Sequence, residues 1–126
     1  GAEALASYLI AQSRAGKSTL EVLCLSHNMI TDEGAIALAD AIHENQSLQC
    51  LTLKSNSIAQ AGLTALGDAI GKNNTLQFLS VFGNDFSVNA VGKQFHNLIE
   101  QRLPYTGLAL DVKTYVVDGI FQVAEL

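Results

Sequence analysis

Few side chains in this 126-residue chain have the chemistry for catalysis or metal binding, and their spacing decides what they can do together. His27, His43 and His96 fall beside a predicted strand, at the end of one predicted helix and in the middle of another. A transition-metal site needs three or four ligands around one point, and these three share no face. Cys24 and Cys50 lie in different columns on the same side of neighbouring predicted strands. Strand rise and spacing put their Cα atoms about 8 Å apart, beyond disulfide reach, so two free thiols are expected, as in a reducing compartment. Gly16-Lys17-Ser18 ends like a phosphate-binding loop. However, Ala11 stands where the first glycine of that loop belongs, and the segment joins a helix to a strand rather than a strand to a helix. A solvated turn is the reading. Asn45-Gln46-Ser47 and Asn73-Asn74-Thr75 fit the glycosylation sequon, yet they recur at one position of a repeat, where turn chemistry accounts for them. Thr31, Asp32 and Glu33 read as capping and dipole-complementing residues of the helix they begin, not as acid/base partners. The sequence therefore predicts no catalytic residue, no metal, no cofactor and no enzyme.

What positions these residues is a unit stated three times between residues 20 and 103. Leu20, Leu48 and Leu76 are 28 positions apart, and Leu23/Leu51/Leu79, Leu25/Leu53/Val81 and Asn28/Asn56/Asn84 keep that spacing without an insertion. Leucines two apart share one face of a strand, so Val22, Cys24 and Ser26 face the other way. Ala35, Leu38, Ala41 and Ile42, then Leu63, Leu66, Ala69 and Ile70, each form one helical stripe. A strand and a helix with one apolar face each can bury them only by stacking on neighbours. The prediction is an α/β solenoid, a parallel strand ladder lined with helices. The recurrent asparagine suits the tight loop after each strand, where its amide can satisfy backbone groups leaving the ladder. Gly34 and Gly62 permit close packing at the helix start.

The pattern L-x-x-L-x-L-x-x-N-x-I, continued by Ile30-Thr31, Gly34, Leu38, Ala41 and Ile42 and by Ile58, Gly62, Leu66, Ala69 and Ile70, resembles the ribonuclease-inhibitor-type leucine-rich repeat family. The resemblance covers about four fifths of the chain and implies a right-handed βα superhelix whose concave wall binds other proteins. In the third unit Val81, Ala90 and Gln94 replace Leu, Gly and Leu, which predicts a rotated helix burying Val91, Phe95, Leu98 and Ile99. Pro104 predicts that this helix ends at Leu103 or just before. Leu108-Ala109-Leu110 offers one more strand. Residues 114–117 and 120–123 around Asp118-Gly119 read as a hairpin, taken as a C-terminal cap covering or extending the ladder's edge. The expected organisation is repeats over 1–103 (a partial repeat 1–19, then 20–47, 48–75 and 76–103) and a capping strand and hairpin over 104–126. Residues 1–10 align with 34–43 as a helix lacking its strand, so a C-terminal part of a longer array is expected, with more repeats N-terminal to it. Residues 115–119, closing on Ala124-Glu125, resemble the end of one member of this branch. That resemblance implies a ciliary (radial spoke) or nucleolar assembly.

Seven Lys and Arg stand against 12 Asp and Glu, a net charge of −5. No basic stripe exists to track phosphates, so no nucleic-acid partner is expected. No apolar run reaches 18 residues, so no membrane span is expected. The expected location is intracellular and cytoplasmic, with cilium or nucleus as finer possibilities. Function must then reside in a surface. The predicted partner-binding residues on the concave face are Val22, Cys24 and His27, then Cys50, Thr52 and Lys54, then Phe78, Ser80 and Phe82, the two phenylalanines serving as exposed aromatic anchors. The expected function is a non-catalytic protein–protein interaction scaffold. The alternative is a regulatory or sensor domain of a multidomain NLR-like receptor.

Overall fold

The computed structural model describes the backbone of residues 1–126 and the side chains of all but Arg102 and Tyr105. Four short strands, β1 Val22–Cys24, β2 Cys50–Thr52, β3 Phe78–Ser80 and β4 Ala109–Leu110, form one parallel ladder in chain order. Leu23, Leu51, Leu79 and Leu110 stand in a single register. Because strand side chains alternate, that row points into the core. Leu51 and Leu79 are fully buried, while Leu23, on the outer strand, is half-buried. Main-chain bonds continue past the strands: Leu25 N–H donates to the Thr52 carbonyl and His27 N–H to that of Lys54. One unit later Leu53 N–H donates to Ser80 and Ser55 N–H to Phe82.

Helices α1 Ala2–Arg14, α2 Thr31–Glu44, α3 Gln60–Ile70 and α4 Asn89–Asn97 supply the other half of the core. The predicted stripes are the buried ones: Ala35, Leu38, Ala41 and Ile42 on α2, and Leu63, Leu66, Ala69 and Ile70 on α3. Each fully buried Leu or Ile contributes roughly 1.5–3 kcal/mol. A Cβ at Gly62 would stand 2.5 Å from Ile58 Cγ2 and 2.9 Å from Ala35 Cβ, so α3 reaches α2 only where a side chain is missing.

Two asparagine columns lock the turns. Asn56 Oδ1 accepts from Asn28 N–H at 2.7 Å and Ile30 N–H at 3.3 Å, and its Nδ2 donates to the carbonyls of Leu25 at 2.8 Å and Lys54 at 3.3 Å. Asn84 repeats this against Asn56, Ile58, Leu53 and Val81. After the helices, Asn45 and Asn73 accept from the N–H groups of Leu48 and Leu76 at 2.6 and 2.7 Å, and Asn73 Nδ2 reaches back to the Ile42 carbonyl at 2.8 Å. Asparagine suits these positions because one amide both accepts and donates.

Three details depart from the sequence reading. Asp32 does not cap its own helix, which has no side-chain cap. It caps α3, accepting from Ala59 N–H at 2.7 Å and Gly62 N–H at 3.1 Å, because the bare Gly62 brings the start of α3 against α2. Nor does Pro104 stop the last helix. α4 runs on through a π-helical turn, Leu98–Arg102, into α5, Leu103–Thr106. Proline has no N–H, and in the first turn of a helical segment none is needed. Gly107, at φ 76°, ends the segment, its N–H donating to the Leu103 carbonyl. Finally, β5 Val112–Val117 and β6 Ile120–Glu125 form a separate antiparallel sheet and do not extend the ladder.

That hairpin turns at Asp118 and Gly119, both with positive φ (51° and 77°), as a two-residue hairpin loop requires. It packs on α4: Phe121 N–H donates to Asn89 Oδ1 at 2.8 Å, and the His96 and Phe121 rings lie 5.2 Å apart. α4 itself buries Val91 and Phe95 and half-buries Leu98 and Ile99. Gln94, in the leucine column, lies over Gly67 and donates to the Thr64 carbonyl at 3.1 Å. Among the described residues no helix is long and apolar enough to cross a membrane.

Candidate functional site

The side chains that alternate with the buried leucines make two rows across the ladder. Val22, Cys50, Phe78 and Ala109 stand side by side, and Cys24, Thr52 and Ser80 form the next row, with strands about 4.8 Å apart. Val22 is 56% exposed, Cys24 is exposed, and Cys50, Thr52 and Phe78 are half-buried. Neither row holds a formal charge.

Three of the nine predicted residues sit differently from expectation. Ser80 is 6% exposed, and its hydroxyl donates to Asp111 Oδ2 at 2.8 Å. β4 is only two residues long, so Asp111 supplies the acceptors a longer strand would have offered, with Oδ1 2.8 Å from Val81 N and 3.2 Å from Phe82 N. Phe82 is not an outward anchor. β3 ends at Ser80, the alternation stops there, and the ring packs against the core beneath the Lys54 ammonium, 5.8 Å from the ring centroid. His27 is exposed but lies beyond β1 on a left-handed turn (φ 62°), the position held by Ser55 (56°) and Gly83 (81°) in the next two units.

Lys54 donates to Glu125 Oε2 at 2.9 Å, with the two side chains 39% and 53% exposed. The hydrogen bond to Glu125, then its charge, and more weakly the charge of Asp111, hold the ammonium above the usual lysine pKa. Leu126 N–H donates to the Asp111 carbonyl at 3.0 Å. The end of β6 therefore lies along the same face, bounding a groove of about 420 Å³ whose lining includes Ser26, Thr52, Lys54, Phe78 and Leu126. Glu125 is 71 positions from Lys54, and no local signal in the sequence joins them.

The other candidate chemistry stays dispersed. His96 Nδ1 is 2.8 Å from Thr114 Oγ1, His43 is exposed on the last turn of α2, and among the described residues no group of His, Cys, Asp and Glu could hold a metal ion. Cys24 faces Thr52 and Cys50 faces Val22, and both thiols are free. Ser18 follows α1 and pairs with Ser13 across 3.0 Å. Asn45 and Asn73 are 1% and 8% exposed, which closes both sequons to a glycosyltransferase in the folded chain.

Residues 16–39 and 44–67 match the family model described as Leucine Rich repeat. No curated protein matches the sequence. Among solved structures the chain is similar to the tropomodulin C-terminal domain of Caenorhabditis elegans, at 15% identity and a TM-score of 0.67, over 83% of this chain and 61% of that one. It is also similar to leiomodin-1 Actin-Binding Site 2, at 20% identity and a TM-score of 0.54, over 79% of this chain and 74% of that one. The chain thus spans less than two thirds of the tropomodulin domain's length, and at these identities the likeness is one of fold. The matched repeats, the strand register and these likenesses together give the chain an α/β fold of the leucine-rich repeat type.

Proposed function

We infer that this chain is a non-catalytic protein–protein interaction scaffold, a short right-handed solenoid over residues 1–103 with residues 104–126 as its cap, which binds a protein partner on the strand face. The observation that carries this reading is the pair of uncharged rows, Val22–Cys50–Phe78 and Cys24–Thr52, held in register by a main-chain ladder. A face whose backbone is already ordered loses little entropy on binding, and Val22, 56% exposed on its outer strand, is apolar surface that a partner would cover. Two free thiols on that face suit a reducing, intracellular setting.

One of the similar solved structures is an actin-binding site, so actin is the first candidate partner. The tail's resemblance to leucine-rich repeat-containing protein thirty-four supports a ciliary or nucleolar assembly and rests on those residues alone. The test is photocrosslinking from a benzophenone placed at Val22 or, as a control, at the exposed Asp40 of α2, in native extract and with purified actin. A partner captured from Val22, and bound at least tenfold more weakly by Val22→Glu and Phe78→Ala, supports the reading. Capture from Asp40 alone, or binding indifferent to both substitutions, refutes it.

A further inference from the structure

The end of β6 lies on the face assigned above to a partner, and there it makes the contacts of a bound peptide. Its main chain is tied to the fold by Leu126 N–H donating to the Asp111 carbonyl at 3.0 Å, and its Glu125 carboxylate takes the Lys54 ammonium at 2.9 Å. Among the described residues Lys54 is the one basic side chain lining this groove. The other carboxylate present, Asp111, has its oxygens occupied by Ser80, Val81 and Phe82, so it does not compete for the ammonium at bonding distance. Phe82 lies under that ammonium and attracts it through its π face, which keeps Lys54 in place when Glu125 departs. Phe78 and Leu110 supply apolar wall beside it. Both members of the ion pair are reached by solvent, and pairs of that kind are weak and easily exchanged.

We propose that this groove is a docking site for an extended peptide carrying a carboxylate side chain followed by an apolar residue, and that Glu125 and Leu126 are its intramolecular competitor. The proposal rests on the strand face being the binding face. It adds what the partner must bring to Lys54 and what the partner must displace. A partner without a carboxylate leaves Glu125 where it is and gains only the uncharged rows.

The experiment is an NMR titration of the chain with the synthetic peptide Phe-Gln-Val-Ala-Glu-Leu, amidated at its C-terminus, and with its amidated counterpart having Gln in place of Glu. Both are followed at the amides of Thr52, Lys54 and Phe78. Wild type is compared with Glu125→Gln and Lys54→Met, both at solvent-exposed side chains. Freeing Lys54 in Glu125→Gln tightens binding of the acidic peptide by up to about fivefold over wild type. The gain is absent in Lys54→Met and with the glutamine peptide. Equal affinity in wild type and Glu125→Gln, undiminished binding to Lys54→Met, or no binding to any of the three overturns the proposal. If Val22 crosslinks a partner while the peptide ignores Lys54, the binding face stands and the competitor does not.

Discussion

Replacing Asn56 with alanine removes four hydrogen bonds from a side chain that is 0% exposed. Two are short, from Asn28 N–H at 2.7 Å and to the Leu25 carbonyl at 2.8 Å, and two are 3.3 Å long. Each short bond is worth about 1 kcal/mol net, and a buried donor left without a partner costs about 1–3 kcal/mol more. Asn56→Ala should therefore destabilise the fold by about 3–5 kcal/mol, a large share of the roughly 5–15 kcal/mol typical of a domain. The control is Asn28→Ala, one unit earlier. Asn28 is exposed and, among the described residues, its side chain bonds only within its own loop, to the carbonyls of Leu25 and Ser26, so about 0.5–1 kcal/mol is expected. Because the two asparagines hold the same place in the unit, the difference between the variants isolates the bonds that cross from unit to unit. Urea unfolding followed by circular dichroism reads that difference, which at a slope of about 1–3 kcal/mol per molar separates the midpoints by about 1 M or more. Asn56→Asp should be worse than alanine at neutral pH, since its carboxylate faces two carbonyl oxygens in a dry site. If the two alanine variants unfold within about 0.5 kcal/mol of each other, the unit-to-unit role of the asparagine column is wrong.

Gly62→Ala forces a methyl group against Ile58, Asp32 and Ala35, the nearest atom 2.5 Å away, and should cost about 1–3 kcal/mol in thermal or urea unfolding; a neutral or stabilised variant would show that α2 and α3 yield freely. Asp85 is held below the ordinary aspartate range by the Ser87 hydroxyl first and the Ser87 N–H second. A depressed carboxyl stabilises the fold above the unfolded aspartate value of about 3.9, and that contribution is lost as pH falls through the folded value. A carboxyl-carbon NMR titration should place Asp85 below that reference, and Ser87→Ala should raise its midpoint; a midpoint that does not move refutes the assignment.

The columns that recur every 28 residues were legible from the amino-acid sequence, and with them the ladder register of Leu23, Leu51 and Leu79 and the buried stripes of α2 and α3. Alternation along a strand and helical spacing along a helix are properties of a few consecutive residues, so apolar pattern alone specifies which side must be buried. The burial of Val91 and Phe95 on α4 was legible for the same reason. The asparagine column was visible too, although its partners one unit away were not. What the tertiary structure decided lies where the pattern ends. Phe82 lies two residues beyond the end of β3, Ser80 is sealed by an aspartate 31 positions on, and Asp32 serves the next helix rather than its own. Lys54 meets its carboxylate only because the hairpin folds over α4 and brings the end of β6 back to the strand face. Such contacts depend on where a distant segment returns, and the spacing of residues within one repeat carries no record of that return.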